Sequence, residues 1–545
     1  MTTTANQPDT AVKAAIKRSH HSVFSRRFDV FLAVLLAMTF ACVALVLFTR
    51  QNDFPVFYHP DEQSKVDQIV SANQARNFNH PLLLLETTNL VVRWSSVSLA
   101  DSRAVAIAGR WVSAGFAAAG VMALLITAFV SAGYPGVLLG GALLALCPPL
   151  LVYAHYFKED AALIAGFAVT LLGARLTLST TQLRMQLLAI AVMAIGCAAA
   201  ASAKYVGLVL IVPSIVSLFI ARMPRWWFLL ITIPVFFVVC GVTVLFINAR
   251  AFDIVFPPEL APAARERIVA EVRHGTAGQN EVTLDRPNAF ALRVAASELM
   301  PHAWLFILMG VVAAIPGFRF SRWGIVLVSF VGTTIVALCL NAIPFPRHAL
   351  PITVMAYYVA VELSALATTK AVRWNRRFGY SLLTAMICIS TFCEGWRCAS
   401  FVKQFHDDSR QRLREWVLQS LPKSSTFAID RFVVLDSPGD SWRFPQQQKG
   451  NIAVARTRQF VADEGPFDVL PRRGFDYVVI SKQAYARYFE PGVHAVQGQE
   501  ELFARRQKFY TDLLEHGNLV WSSVPSPSSN AYVDPELHVY QVRSP

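Results

Sequence analysis

Eleven apolar stretches constrain this chain more than any motif: 28-48, 104-130, 135-154, 160-179, 186-203, 205-221, 226-248, 299-317, 323-341, 350-368 and 378-396. Each is close to the roughly 20 residues that cross a hydrocarbon core about 30 Å thick. With 54% hydrophobic and 16% charged residues and a mean hydropathy of +0.43, too little polar surface remains to cover a water-soluble core. The expected fold is a polytopic α-helical membrane protein. The charged N-terminal tail, 1-27, leads into a full-length span rather than a short h-region, so no cleavable signal peptide is expected.

The net charge of +13 reads as topology rather than as a nucleic-acid footprint, because no basic-aromatic surface module accompanies it. Lys13, Lys17, Arg18, Arg26 and Arg27 precede the first span, and Arg222, Arg225, Arg319, Arg322, Lys370, Arg373, Arg376 and Arg377 mark later turns. Lys and Arg collect in cytoplasmic loops. That rule places the N-terminus inside, and an odd number of spans places the C-terminus outside. The short joins at 131-134 and around Lys204 imply antiparallel neighbours. All eight cysteines, Cys42 to Cys398, lie in or beside apolar segments, so the polar C-terminal region has no disulfide framework. Cys393 and Cys398 suit either a pair in an oxidising compartment or buried free thiols.

Three polar regions then face outward. In 49-103, the segment 62-76 reads as a helix along the surface, and His80-Pro81-Leu82-Leu83-Leu84-Leu85 is apolar but too short to span. The loop 249-298 begins with Phe256-Pro257-Pro258, carries a helix-like run at 263-272 and a flexible Gly275-Gly278 stretch, and is long enough for a lid or a connector. Region 397-545 can bury its own core. It reads as a helix at 412-421 stopped by Pro422, strands at 427-429, 432-435 and 477-480, a helix at 500-515, and strands near 519-522 and 537-542. Such alternation predicts a small extracytoplasmic α/β domain. The membrane part is 28-396.

No Walker loop, dinucleotide fingerprint, His-Glu-x-x-His site, Cys-x-x-Cys pair or Asp-x-Asp metal clamp is present. Four polar clusters instead fall at the predicted outer ends of spans. They are Asp61-Glu62 after Phe57-Tyr58-His59-Pro60, His155-Tyr156-Phe157-Lys158-Glu159-Asp160, Lys204-Tyr205, and Phe345-Pro346-Arg347-His348. Carboxylates beside a span are costly and point to function. A carboxylate accepts the proton of an incoming hydroxyl, and cations stabilise a departing phosphate. Each cluster also has a plainer reading. Asp61 and Asp160 suit helix caps, Lys204 suits snorkelling to the headgroups, Arg347 suits an interface anchor, and His59, His80 and His348 suit structural roles. Their conjunction on one face carries the argument.

These residues resemble the membrane-embedded GT-C glycosyltransferases, in the bacterial protein-mannosyltransferase-like and aminoarabinose-transferase-like family. The resemblance rests on Asp61-Glu62, His80-Pro81-Leu82-Leu83, Lys158-Glu159-Asp160, Ala203-Lys204-Tyr205-Val206-Gly207-Leu208 and Arg347-His348-Ala349-Leu350-Pro351. In the tail it adds Arg414-Glu415-Trp416-Val417, Phe475-Asp476-Tyr477-Val478-Val479 and Leu537-His538-Val539-Tyr540. The resemblance implies a polyprenyl-phosphate sugar donor, an active site on the exported face of the plasma (inner) membrane, and inversion at the anomeric carbon. It implies Asp61 as general base with Glu62 as supporting or alternative acid, a second-loop acid at Glu159 or Asp160, and Lys204 and Arg347 on the donor phosphate. His59, His80, Lys158, Tyr205 and His348 are candidates for substrate contact. His348 stands where an aromatic residue is expected. The implied acceptor is an envelope glycan, lipid or protein. No metal ligands are assigned, although the two acids suit a divalent ion as well as metal-free action. A transporter or flippase of a lipid-linked or anionic substrate is the competing reading, and an assembly protein working through its outer domain is a third.

Overall fold

The computed structural model describes all residues except 1-8, 55-57, 60, 72-75, 223-225, 250-260, 279-280, 316-320, 423, 431-432, 434-453, 459, 524-531 and 544-545. Of the expected strand at 432-435 only Val433 is described, as a bend and not a strand; the Phe256-Pro258 start of the long loop, Phe57 and Pro60 lie outside the described residues.

The chain opens with α1 (Asp9–Thr49), followed by α2 (Asp61–Val70) and α3 (Leu83–Trp94), then α4 (Ser102–Ala132). The third predicted span is broken into α5 (Tyr134–Leu143) and α6 (Pro148–Ala154), bent by 61°. Pro148 and Pro149 supply no backbone N–H to continue the earlier helix but suit the first turn of a new one. Next come α7 (Asp160–Ser179), α8 (Leu183–Ala203), α9 (Ile211–Arg222) and α10 (Leu229–Ile247). The predicted 205-221 span begins as a 3₁₀ segment, Tyr205–Leu210, and is shorter than a full crossing helix. After α11 (Ala261–Ala277), the eighth predicted span is also corrected. Pro301 separates α12 (Phe290–Glu298) from α13 (Pro301–Ala314) at 100°. The membrane part closes with α14 (Arg322–Cys339), α15 (Leu350–Trp374) and α16 (Arg376–Gln404). Among the described residues, eight helices are long and apolar enough to cross a membrane, or up to ten if each bent pair counts as one span.

Glycines set the closest helix contact. A Cβ at Gly166, Gly173 or Gly196 would strike the backbone of the facing helix, so α7 and α8 touch main chain to main chain. Small residues permit this approach where lipid supplies no hydrophobic drive between helices. The pair is antiparallel, which puts the start of α7 beside the end of α8.

Beyond the bundle, α17 (Ser409–Ser420) leads into a five-stranded sheet in the order β3-β2-β4-β7-β6. The strands are β2 (Thr426–Asp430), β3 (Val454–Arg458), β4 (Tyr477–Ser481), β6 (Asn518–Ser522) and β7 (Leu537–Gln541), with β3, β2 and β4 parallel and β7 and β6 antiparallel. Alternation along the strands fills both faces. Phe427, Ile429, Tyr477 and Val479 meet Leu413 and Val417 of α17, and Ala428, Val478 and Ile480 meet Phe509, Tyr510 and Leu513 of α19 (Glu500–His516). A one-turn helix, α18 (Lys482–Tyr485), follows β4.

A second, two-stranded ribbon has no counterpart among the strands expected from sequence. β1 (Val282–Leu284), from the long loop, pairs antiparallel with β5 (Val493–Ala495) of the C-terminal region. Glu281 is buried beside it, bound by the Tyr488 hydroxyl and by Arg506 Nη1 at 2.5 Å. The expected flexible stretch is instead mostly helical: α11 runs to Ala277, and the turn comes at Gly278, whose φ of +97° suits glycine. All cysteines are free, Cys393 and Cys398 included.

Candidate functional site

At the polar end of the bundle, where α7 and α15 begin and α8 ends, lies a cavity of about 780 Å³. The four clusters predicted from sequence meet there. Asp61 begins α2, Asp160 begins α7, Lys204 follows α8, and Arg347 sits in a 3₁₀ turn, Pro346–Ala349, ahead of α15.

Ion pairs tie these groups together. Lys158 Nζ is 2.5 Å from Asp61 Oδ2, 3.2 Å from Glu159 Oε2 and 3.0 Å from His80 Nε2. Lys65 Nζ meets Glu159 Oε1 at 2.8 Å, and Lys204 is hydrogen-bonded to Asp160. Arg347 Nη1 stands 3.4 Å from Asp61 Oδ2. Four cations thus face three acids, leaving one positive charge in excess. Asp61 keeps a third of its side chain open to the cavity. Burial by itself would raise its pKa, but Lys158 and Arg347 outweigh that and hold the carboxyl well below the usual carboxylate range. Burial likewise works to raise Glu159, yet the neighbouring Lys158 and Lys65 ammonium groups keep it well below that range. Burial pushes His59 and His80 well below the ordinary imidazole value, so both are neutral near pH 7.

Glu62 departs from the expected supporting role. Its side chain is fully buried, does not line the cavity, and forms a two-pronged pair with Arg110 of α4 at 2.8 and 2.7 Å. It also accepts from the Phe157 N–H at 2.9 Å. Arg110 in turn donates to the Asn52 and Phe54 carbonyls, both at 2.7 Å, and lies 3.6 Å above the Phe54 ring. This clamp joins the first loop, α4 and the Lys158 turn. A carboxylate so engaged cannot take a proton from an acceptor without leaving Arg110 buried and unpaired. Asp160 is not the N-cap of α7; that position is Glu159, which makes no side-chain cap bond. Placed at the first helical residue, Asp160 still favours the positive end of the helix dipole.

The remaining candidates divide. His80, Tyr205 and His348 line the cavity. The Tyr205 hydroxyl donates to the Phe78 carbonyl at 3.1 Å, and His348 Nδ1 is 2.8 Å from Asn341 Nδ2. His59 and Lys158 lie behind the wall, fully buried. His59 Nδ1 accepts from the Asp61 N–H at 3.2 Å.

Tyr532, from the C-terminal region, carried no signal in the sequence. Its ring stacks on His59 at 4.5 Å and 19°, and its carbonyl accepts from the Tyr156 hydroxyl and Arg410 Nη2, both at 2.7 Å. Arg410 is itself buried, paired with Asp408 and set 3.7 Å over the Tyr58 ring.

The cavity has two characters. Asp61, Lys65, His80, Glu159, Asp160, Lys204 and Arg347 form its polar end. Leu163 and Phe167 of α7, Val206–Leu210 and Ala337–Leu338 of α14 form an apolar slot leading away from it. From above, α11 contributes Arg267 and Glu271. The residues present do not fit a resident divalent ion. Each of the three acids is held by a lysine, and among the described residues no group of three or more His, Cys, Asp or Glu is arranged to hold a metal.

This architecture is similar to that of ArnT from Cupriavidus metallidurans bound to undecaprenyl phosphate, with a TM-score of 0.50 and 11% identity over 94% of this chain and 97% of that one. The archaeal oligosaccharyltransferase AglB from Archaeoglobus fulgidus, in complex with an inhibitory peptide and a dolichol-phosphate, aligns at a TM-score of 0.43 and 11% identity, over 91% of this chain and 80% of that one. The S. cerevisiae protein O-mannosyltransferase Pmt1-Pmt2 complex bound to the sugar donor aligns at 0.30 and 16% identity, over 47% and 38%. No family model matches the chain, and no curated protein does. The ArnT likeness shows the fold: this is a polytopic membrane protein of GT-C architecture carrying a C-terminal sheet region.

Proposed function

We propose that the chain is a membrane glycosyltransferase that moves a sugar from a polyprenyl-phosphate donor to an acceptor hydroxyl or amine on the extracytoplasmic face, with its N-terminus in the cytoplasm. One observation carries the reading: a cavity that joins an apolar slot to a polar end holding one cation in excess. A lipid tail fits the slot, and a single phosphodiester charge matches the excess. A diphosphate would leave a negative charge without a partner. ArnT, whose fold the chain shares, is seen bound to undecaprenyl phosphate.

In this mechanism Asp61 accepts the proton of the acceptor as its oxygen or nitrogen bonds to the anomeric carbon. The bond from that carbon to the phosphate oxygen breaks, and its electron pair leaves on the polyprenyl phosphate. Arg347 and Lys204 stabilise that charge. A phosphate leaving group is a weak base, so no general acid is required, and attack opposite the leaving group inverts the centre. Asp61 gains basicity on donor binding, because the phosphate draws Arg347 away from it. Glu159 and Asp160 orient Lys65, Lys158 and Lys204.

The test is transfer by the purified protein in nanodiscs supplied with undecaprenyl-phosphate sugars. Asp61→Asn is expected to lower turnover by about 10²–10⁴-fold, the range for a positioned base, while the fold is kept. Arg347→Ala is expected to raise donor KM. Unchanged turnover in the Asp61 variant would remove the assigned base.

A further inference from the structure

Arg347 Nη1 is shared among three neighbours at nearly equal and long distances: Asp61 Oδ2 at 3.4 Å, His59 Nε2 at 3.4 Å and the Tyr532 hydroxyl at 3.5 Å. Among the described residues its buried Nε has no hydrogen-bond partner. Such contacts are at or beyond the range of good hydrogen bonds, so none captures the group. A guanidinium freed from the imidazole and the hydroxyl would close on the Asp61 carboxylate. Tyr532 cannot follow such a movement. Its carbonyl is held twice, its ring is stacked on His59, and Asp534, two residues on, accepts from the Ser409 N–H at 3.0 Å while its own N–H binds Asp408 Oδ2 at 2.8 Å.

We propose that Tyr532 is a positioning residue through which the C-terminal region completes the phosphate site: its ring fixes His59 and its hydroxyl keeps Arg347 from collapsing onto Asp61. The inference rests on Arg347 as the phosphate ligand. Tyr532→Phe keeps the stack and both carbonyl contacts and removes only the hydroxyl. Arg347 then pairs more tightly with Asp61, and a phosphate must compete for it.

Undecaprenyl phosphate titrated against the full chain in nanodiscs provides the readout. Tyr532→Phe is expected to weaken binding by about three- to tenfold, the modest effect of one long hydroxyl contact rather than of a strong charged hydrogen bond, with thermal stability unchanged. In the Arg347→Ala background the same change is expected to add nothing, because the hydroxyl acts through Arg347; a merely structural role would be additive. Wild-type affinity in Tyr532→Phe, with affinity lost in Arg347→Ala, overturns this inference and leaves the proposed function standing. Equal loss from Tyr532→Phe in both backgrounds also overturns it. Wild-type affinity in Arg347→Ala defeats the phosphate assignment itself.

Discussion

Glu62 and Asp61 are chain neighbours with opposite duties. Asp61 looks into the cavity and shares its charge with two cations, while Glu62 points back into α4 and spends both oxygens on Arg110. Removing one partner of a buried pair costs on the order of 3–5 kcal/mol, because the other charge is left stranded. Glu62→Gln is therefore expected to lower the unfolding temperature markedly while leaving donor affinity of the folded fraction near wild type, as measured by thermal denaturation beside undecaprenyl phosphate binding. Asp61, Lys158, Glu159, Asp160, Lys204 and Arg347 stood out in the sequence only together, because charges at the ends of separate apolar runs fell on one predicted face, while each alone suited a cap, a snorkelling side chain or an anchor. Arg110 stayed hidden inside a 31-residue helix, where one arginine looks incidental. Tyr532 stayed hidden because nothing local distinguishes a tyrosine that meets its partners across several hundred residues of chain.

At the scale of elements, long apolar helices were legible from hydropathy, and the sheet strands β2, β4, β6 and β7 from β-branched runs. The breaks between α5 and α6 and between α12 and α13 had their signs in Pro148-Pro149 and Pro301, which a window average smooths away. The β1–β5 ribbon had none, since three residues a side carry no period. Its strength lies in Glu281, which Arg506 and Tyr488 hold out of solvent. Glu281→Gln is expected to loosen β1 and α11 together, seen as faster amide hydrogen exchange across 261-284 with α19 unchanged. A second element-level device is Asp430 at the end of β2. Burial raises its pKa to about 7, although the Val461 N–H and the Tyr510 hydroxyl bind its carboxylate. The folded form therefore holds a proton that the unfolded form releases near pH 4. The stability this gives is full below pH 4 and is lost as pH rises through 7. Protection of the β2 and β4 amides, taken relative to unstructured exchange at each pH, is expected to fall between pH 5 and 8, and Asp430→Asn to flatten that trend.

Over the whole molecule, the regions 28-396 and 397-545 are less separable than composition suggests. Arg410 and Tyr532 reach Tyr58 and His59 of the 49-103 region and Tyr156 of the turn before α7, and β5 pairs with β1 of the 249-298 loop. Truncation after Gln404 is thus expected to abolish undecaprenyl phosphate binding as well as transfer; retained binding would show that the bundle alone forms the site. One consequence concerns the order of manufacture. A ribosome delivers Tyr532, β6 and β7 after every membrane helix has been inserted, so the bundle passes through a stage in which Arg347 and Asp61 already face each other with their outermost brace still unmade. Under the proposed function, a nascent chain is inert during that interval, and transfer begins only once its final segment is seated on the bundle.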